Sequence, residues 1–175
     1  ILYLSRLSTK KNPDMLLRVF RDLNIPDTRL VIAGPDEDGS LKRLRSLAES
    51  LGLGEKTLFT GALYGRDKLS AFVDADLFVL PSRNENFGNV VAESIAAGTP
   101  VVITDQCGIA PCVRDKAGLV VPVEQKALGD AIFTLLTEPD LYRVFKDGCS
   151  EVARGLSWAE PVEELESIYQ VCCAQ

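Results

Sequence analysis

The chain has 175 residues, 46% hydrophobic and 25% charged, which suits one globular domain with a sizeable core. Its net charge is −6 and its basic residues are scattered, which argues against a groove for nucleic acid. It contains no histidine, so Ser-His-Asp and Cys-His triads and the common histidine metal sites are excluded, and acid–base work falls to carboxylates, Lys, Tyr, Cys, substrate groups or backbone.

Strand-like and helix-like segments alternate from the first residue. Residues 1–5 (ILYLS) read as a buried strand. The chain opens inside that strand without an initiator Met, so we expect preceding residues. Residues 12–23 follow as an amphipathic helix, with Met15, Leu16, Val19, Phe20 and Leu23 as its apolar stripe and Pro13 in its first turn. Residues 29–34 (RLVIAG) are a second strand, and residues 40–51 a second helix stopped by Gly52. A third strand covers residues 57–60, and Asp67 is expected to cap a short helix running to Asp74. A fourth strand covers residues 76–81 (DLFVLP), a helix residues 88–97, a fifth strand residues 100–104 and a sixth residues 118–121. Helices over residues 125–137, 140–155 and 158–173 complete the chain.

The runs LVIAG, LFVLP and PVVIT are continuously apolar rather than alternating, as in strands covered on both faces. Together with the strand–helix alternation, this predicts an α/β fold, a Rossmann-like doubly wound parallel sheet of about six strands with a helical C-terminal end. No repeat or linker interrupts it, so residues 1–175 read as one domain. The five cysteines, Cys107, Cys112, Cys149, Cys172 and Cys173, match no common zinc spacing and read as reduced thiols of a cytoplasmic protein.

In doubly wound sheets a ligand lies beyond the carboxyl ends of the strands, near the switch point, which here means residues 5–11, 34–39, 61–64, 81–89 and 104–108. Two of these stretches carry chemistry. After strand one, SRLSTKKN sets Arg6, Lys10 and Lys11 before a helix start, which suits a diphosphate clamp or simply solvated bases. After strand four, Glu85 precedes Phe87, Gly88 and Asn89 at a helix start, where free amides suit an anion or hydroxyl oxygens and Gly88 permits close approach. Glu93 follows on the helix. At this spacing the two glutamates fit two hydroxyls of one extended ligand, but taken alone they fit better a capping carboxylate and a solvated or paired helix residue.

Taken in order, SRLSTKKNPDMLL, LVIAGPDEDG, TLFTGAL, DADLFVLPSRNENFGNVVAESIAAGTPVV and SWAEPVEELESIYQ resemble the C-terminal domain of the retaining GT-B glycosyltransferases of family 4, the glycosyl transferases group 1 domain. The resemblance covers essentially the whole chain and implies half of a GT-B fold that binds a nucleoside-diphosphate sugar (a UDP-, GDP- or ADP-sugar) and transfers the sugar with retention to an acceptor hydroxyl. It implies that Arg6 and Lys11, rather than Lys10, hold the donor diphosphate and offset leaving-group charge. By the same resemblance Glu85 meets the sugar, the amides of Phe87, Gly88 and Asn89 lie beside sugar and phosphates, and Glu93 meets the ribose. Leu63 falls where backbone meets the base, and Gly34 is the close-approach glycine.

The resemblance further implies no cofactor and no metal in this domain. It implies an N-terminal acceptor domain outside this chain, which in family members often docks on membranes. Ser5 stands where the family often has glycine, and Asn86 replaces the glycine common before the Phe, so sugar identity does not transfer. Asp74-Ala75-Asp76 looks like a metal-binding Asp-x-Asp but runs into the amino end of a strand. Two other readings stay open on sequence alone: a stand-alone nucleotide-sugar binder, and another GT-B enzyme such as a sugar-nucleotide epimerase or a phosphorylase.

Overall fold

The computed structural model describes residues 1–157 and 159–173. Its strands are β1 (Leu2–Leu4), β2 (Leu30–Ala33), β3 (Thr57–Gly61), β4 (Phe78–Leu80), β5 (Val101–Thr104) and β6 (Gly118–Val121). All pair in parallel in one sheet ordered β3-β2-β1-β4-β5-β6. The fold is the doubly wound α/β sheet that the continuous apolar runs predict. Every residue of β1, β4 and β5 is buried, because helices cover both faces there. β3, at the sheet edge, alternates half-buried and exposed residues instead.

The helices are α1 (Pro13–Leu23), α2 (Ser40–Ser50), α3 (Gly65–Val73), α4 (Asn89–Ala96), α5 (Ala110–Val113), α6 (Gln125–Thr137), α7 (Pro139–Gly155) and α8 (Ala159–Cys173). α1 packs on α2 and α6, and α4 packs on α3 and α7. α1 buries Leu16, Leu17, Val19 and Phe20, the stripe that its 3.6-residue period lays on one side. Pro13 takes its first turn as expected. Every described side chain of α8 is exposed, Val162, Leu165 and Tyr169 among them, and Cys172 and Cys173 are helix residues. Trp158, predicted to open the last helix, lies outside the described residues.

Strand ends fall one or two residues inside the expected bounds, as in β1 and β4, and two larger features depart from expectation. Asp67 does not cap α3. That helix opens at Gly65 after an extended Tyr64 and has no side-chain cap bond, so Asp67 sits inside the first turn, where its charge still suits the helix dipole. The four-residue α5 has no counterpart in the sequence reading, since one turn is too short to show a period. Among the described residues no helix is long and apolar enough to cross a membrane.

Neighbouring β1 and β4 lead to helices in opposite directions along the sheet, so the crevice past their carboxyl ends is the topological switch point. Asp74 and Asp76 lie at the other end, beside Ile1 and Leu2 in a separate cleft.

Candidate functional site

A cleft of about 420 Å³ opens at the switch point. Every residue that the resemblance assigns to the donor site lines it except Glu93. Arg6 and Lys11 come from the β1–α1 loop, Gly34 from the end of β2, Leu63 from the β3–α3 connection, and Glu85 to Asn89 from the β4–α4 loop. A second, more polar cavity of about 570 Å³ adjoins it, sharing Arg6, Lys11, Glu85 and Asn86 and adding Ser8, Thr9 and Lys10.

The floor requires glycine. Gly34 has φ of 149°, and a Cβ there would stand 1.7 Å from the carbonyl oxygen of Ser5. The carboxyl ends of β1 and β2 touch through this position, so the chain can leave β1 across the top of β2. Tyr3, fully buried in β1, donates its hydroxyl to the Arg6 carbonyl at 2.9 Å and fixes the backbone that carries the guanidinium. The Arg6 side chain is well exposed and meets Glu37 at 3.3 Å, a contact weak enough for a ligand to displace.

Lys11 is different. Its side chain is only 9% exposed, and its ammonium forms a direct ion pair with Glu85, itself 17% exposed. The two residues expected to meet separate parts of a ligand therefore meet each other. A buried ammonium is tolerable only with such a partner. Glu85 is not a helix cap, since Gly88 holds the N-cap of α4 with φ of 108°. Lys10 points elsewhere: its side chain is exposed in the second cavity, and its carbonyl accepts from the Arg83 N–H at 2.8 Å and from Ser82 Oγ at 3.2 Å. That carbonyl ties the β1–α1 loop to the β4–α4 loop and so sets Lys11 against Glu85.

The β4–α4 loop is braced from behind as well. Glu85 N–H donates to Gln106 O at 3.0 Å, Gly108 N–H to Glu85 O at 3.0 Å, and Ile109 N–H to Phe87 O at 2.9 Å. Buried Thr104 donates to the Ser82 carbonyl at 2.5 Å. A Cβ on Gly108 would fall 1.9 Å from the Asn86 carbonyl oxygen, so the segment after β5 fits the loop only as glycine. The first amides of α4, those of Asn89 and Val90, have no intrahelical acceptor, and both residues line the cleft, so the helix start brings partial positive charge to it.

Glu93 lies one turn further along α4 and reaches the cleft through Lys68 of α3, whose ammonium donates to Glu93 Oε1 at 2.6 Å. Sequence reasoning missed Lys68 and Tyr3; Ser82, Thr104 and Gly108 fall in stretches that it placed at the ligand edge, but it gave them no role. All of them act through contacts that residue order alone does not show.

Residues 1–149 match the family described as glycosyl transferases group 1. The chain is 32% identical, over 98% of its length, to the D-inositol 3-phosphate glycosyltransferase of Saccharomonospora viridis, of which it covers 42%. Sucrose-phosphate synthase from Thermosynechococcus elongatus superposes with a TM-score of 0.86 at 28% identity, over 99% of this chain and 45% of that one. Anabaena Alr3699/HepE, solved with UDP and glucose, has the same fold, with a TM-score of 0.84 at 22% identity over 95% of this chain and 47% of that one. The chain thus spans less than half the length of these relatives.

Proposed function

This chain belongs to the glycosyl transferases group 1 family, and from that premise we propose that it is the donor-binding domain of a retaining glycosyltransferase, with the switch-point cleft as the site for a nucleoside-diphosphate sugar. One observation carries this reading: Arg6, Lys11 and the free amides of α4 converge on one cleft at the carboxyl ends of β1 and β4. The three are all cationic or partly so, and all line the cleft where this reading puts the diphosphate.

In this reading Arg6 and Lys11 take the diphosphate and Glu85 takes hydroxyls of the sugar, with Asn86 and the Phe87 to Asn89 backbone beside it. Leu63 lies by the base, Gly34 lets the donor approach the sheet edge, and Glu93 serves the ribose. The Lys11–Glu85 pair holds both groups in place before the donor arrives. When the donor binds, the ammonium turns some of its N–H groups to a phosphate oxygen while the carboxylate accepts from the sugar. The bond from anomeric carbon to phosphate oxygen then breaks through an oxocarbenium-like state. Positive charge at Arg6, Lys11 and the α4 amides stabilises the departing diphosphate, and the acceptor hydroxyl attacks the same face and loses its proton. Pairing with Lys11 supports a binding role for Glu85 rather than a nucleophilic one. No step calls on a metal or cofactor. The acceptor belongs to a further N-terminal domain, and all five cysteines are free, which supports a reducing, cytoplasmic setting.

The test is a melting titration of this chain with UDP-, GDP- and ADP-sugars, because a ligand that binds only the native state raises its stability. At least one series is expected to raise the melting temperature, and Arg6→Ala to blunt the rise. The chain alone is expected to bind donor weakly and to transfer nothing. No shift with any donor, in wild type and Arg6→Ala alike, would remove the donor-site reading, and turnover by the chain alone would remove the need for a second domain.

A further inference from the structure

A cavity of about 290 Å³ lies beside the start of α1 and shares no residue with the switch-point cleft. Two guanidiniums line it, Arg18 from the second turn of α1 and Arg83 from the β4–α4 loop, together with Thr9, Asn12, Asp14 and Gln125. Neither Arg18 nor Arg83 makes an ion pair or a side-chain hydrogen bond among the described residues. Asp14 is already taken, since both its oxygens accept from the Arg43 guanidinium. The chain has a net charge of −6, so acidic partners abound, yet these two cations share a small cavity unanswered. Asn12 is the second anomaly. It is only 4% exposed, at a left-handed φ of 58°. Its side-chain amide donates to the Met15 thioether at 3.5 Å, a weak acceptor, and to nothing else among the described residues. Asparagine tolerates that backbone, which explains the residue type. It does not explain a nearly buried amide left with a sulfur partner.

We propose that this cavity is a second ligand site, which takes the phosphate group of a small phosphate monoester. It stands apart from the donor-site reading and does not rest on it. The chemistry follows from what the lining offers. The two guanidiniums have N–H donors and no acceptor, the Asn12 amide has a second N–H to give, and the Thr9 hydroxyl can donate as well. Guanidiniums suit phosphate oxygens in bidentate fashion, and a dianion relieves the repulsion between two like charges. Size decides against a whole nucleotide. The cavity falls just below the roughly 300–1,000 Å³ of sites that enclose drug-sized ligands, which leaves room for a phosphate and a few carbons. Two exposed arginines alone would read as solvated surface; the nearly buried amide in the same cavity marks it as built. The backbone around it is already set. Arg83 N–H donates to the Lys10 carbonyl at 2.8 Å, and the Lys11 and Asn12 N–H groups both donate to the Ser8 carbonyl, at 3.0 and 3.2 Å. A ligand therefore spends little of its binding energy on ordering the loops.

The experiment is calorimetric titration of this chain with glycerol 3-phosphate, and with glycerol as the uncharged control, at constant ionic strength because salt screens exposed charges. The proteins are wild type, Arg18→Gln, Arg83→Gln, the two combined, Asn12→Gly, Arg21→Gln and Arg6→Ala, each checked for its melting temperature. Glycine keeps the left-handed backbone at position 12 while removing the amide. Arg21 lies on the same helix outside the cavity and controls for net charge alone. Wild type is expected to bind the ester and not glycerol. Each single Arg→Gln change should weaken binding about tenfold, as loss of a charge-assisted hydrogen bond does. The combined variant should abolish it, Asn12→Gly should weaken it, and Arg21→Gln and Arg6→Ala should leave it unchanged. No binding by wild type would overturn the proposal. So would an equal loss in Arg21→Gln, which shows attraction to net charge only, or full affinity in Asn12→Gly, which puts the anion on open surface. Binding that survives the combined variant but vanishes in Arg6→Ala would place the anion in the switch-point cleft. This proposal would then fall while the donor-site reading gained support.

Discussion

Lys11 and Glu85 are 74 positions apart and nearly buried, yet each satisfies the other's charge. A lone buried charge is far more costly than a paired one, so Lys11→Met should destabilise the domain by about 3–5 kcal/mol in urea unfolding. Glu85→Gln should cost less, because an amide oxygen still accepts from the ammonium. A loss below about 1 kcal/mol for Lys11→Met would mean that the pair is effectively solvated. The sequence made both residues candidates through local spacing beside predicted helix starts. It could not show that they touch, because that contact depends on the Lys10 carbonyl binding Arg83 and Ser82 across the sheet edge. Lys68 was invisible for the same reason: a lysine in a short amphipathic helix looks like a solvated residue until α3 and α4 are packed.

At the scale of elements, the strands were the most legible part. Their apolar runs have no polar face, and helices indeed cover both sides of β1, β4 and β5. Helix α1 followed equally from its stripe. Its entry did not: Asn12 takes a left-handed conformation at φ of 58°, buried beneath the loop, and nothing in the residue order marks that. The join between β1 and β2 is stricter than propensity suggests. Gly34→Ala would push a methyl group against the Ser5 carbonyl, where backbone rather than a flexible side chain must yield. The expected loss exceeds about 4 kcal/mol, in the range reserved for backbone clashes and core damage. Urea unfolding or soluble yield measures it, and a variant within about 1 kcal/mol of wild type would show that the two strand ends can part.

At the scale of the whole molecule, the apolar runs and strand–helix alternation set the fold class and the ligand edge and composition removed histidine chemistry, while the strand order came from the structure. Composition also governs the pH response. No histidine titrates, so the neutral range lacks that source of change. On the alkaline side, burial pushes the Cys149 thiol up from 9.0 to about 11, and raises the Cys107 thiol and the Tyr3 hydroxyl too. All three are neutral while protonated, so the native state keeps protons that the unfolded chain releases. The stability they contribute is fully present below about pH 9 and is lost as pH climbs towards about 11. Urea midpoints should therefore fall between about pH 8.5 and about pH 10.5, and fall less steeply in Cys149→Ala. An equal slope in that variant would move the effect to the other groups that burial raises, Cys107, Tyr3 and Tyr142.

The tie between the β1–α1 and β4–α4 loops also constrains how the cleft can diversify. The Lys10 carbonyl is shared by Arg83 and Ser82, and the far side of the same loop is fastened to Gln106, Gly108 and Ile109. A residue inserted into either wall would slip these bonds out of register, so the two loops cannot change length independently. Insertions are tolerated where backbone is exposed and unbonded, and the backbone of these segments is held by hydrogen bonds. In the donor-site reading, a change of sugar would therefore come from side chains on fixed backbone, with exposed Asn86 the obvious place for it.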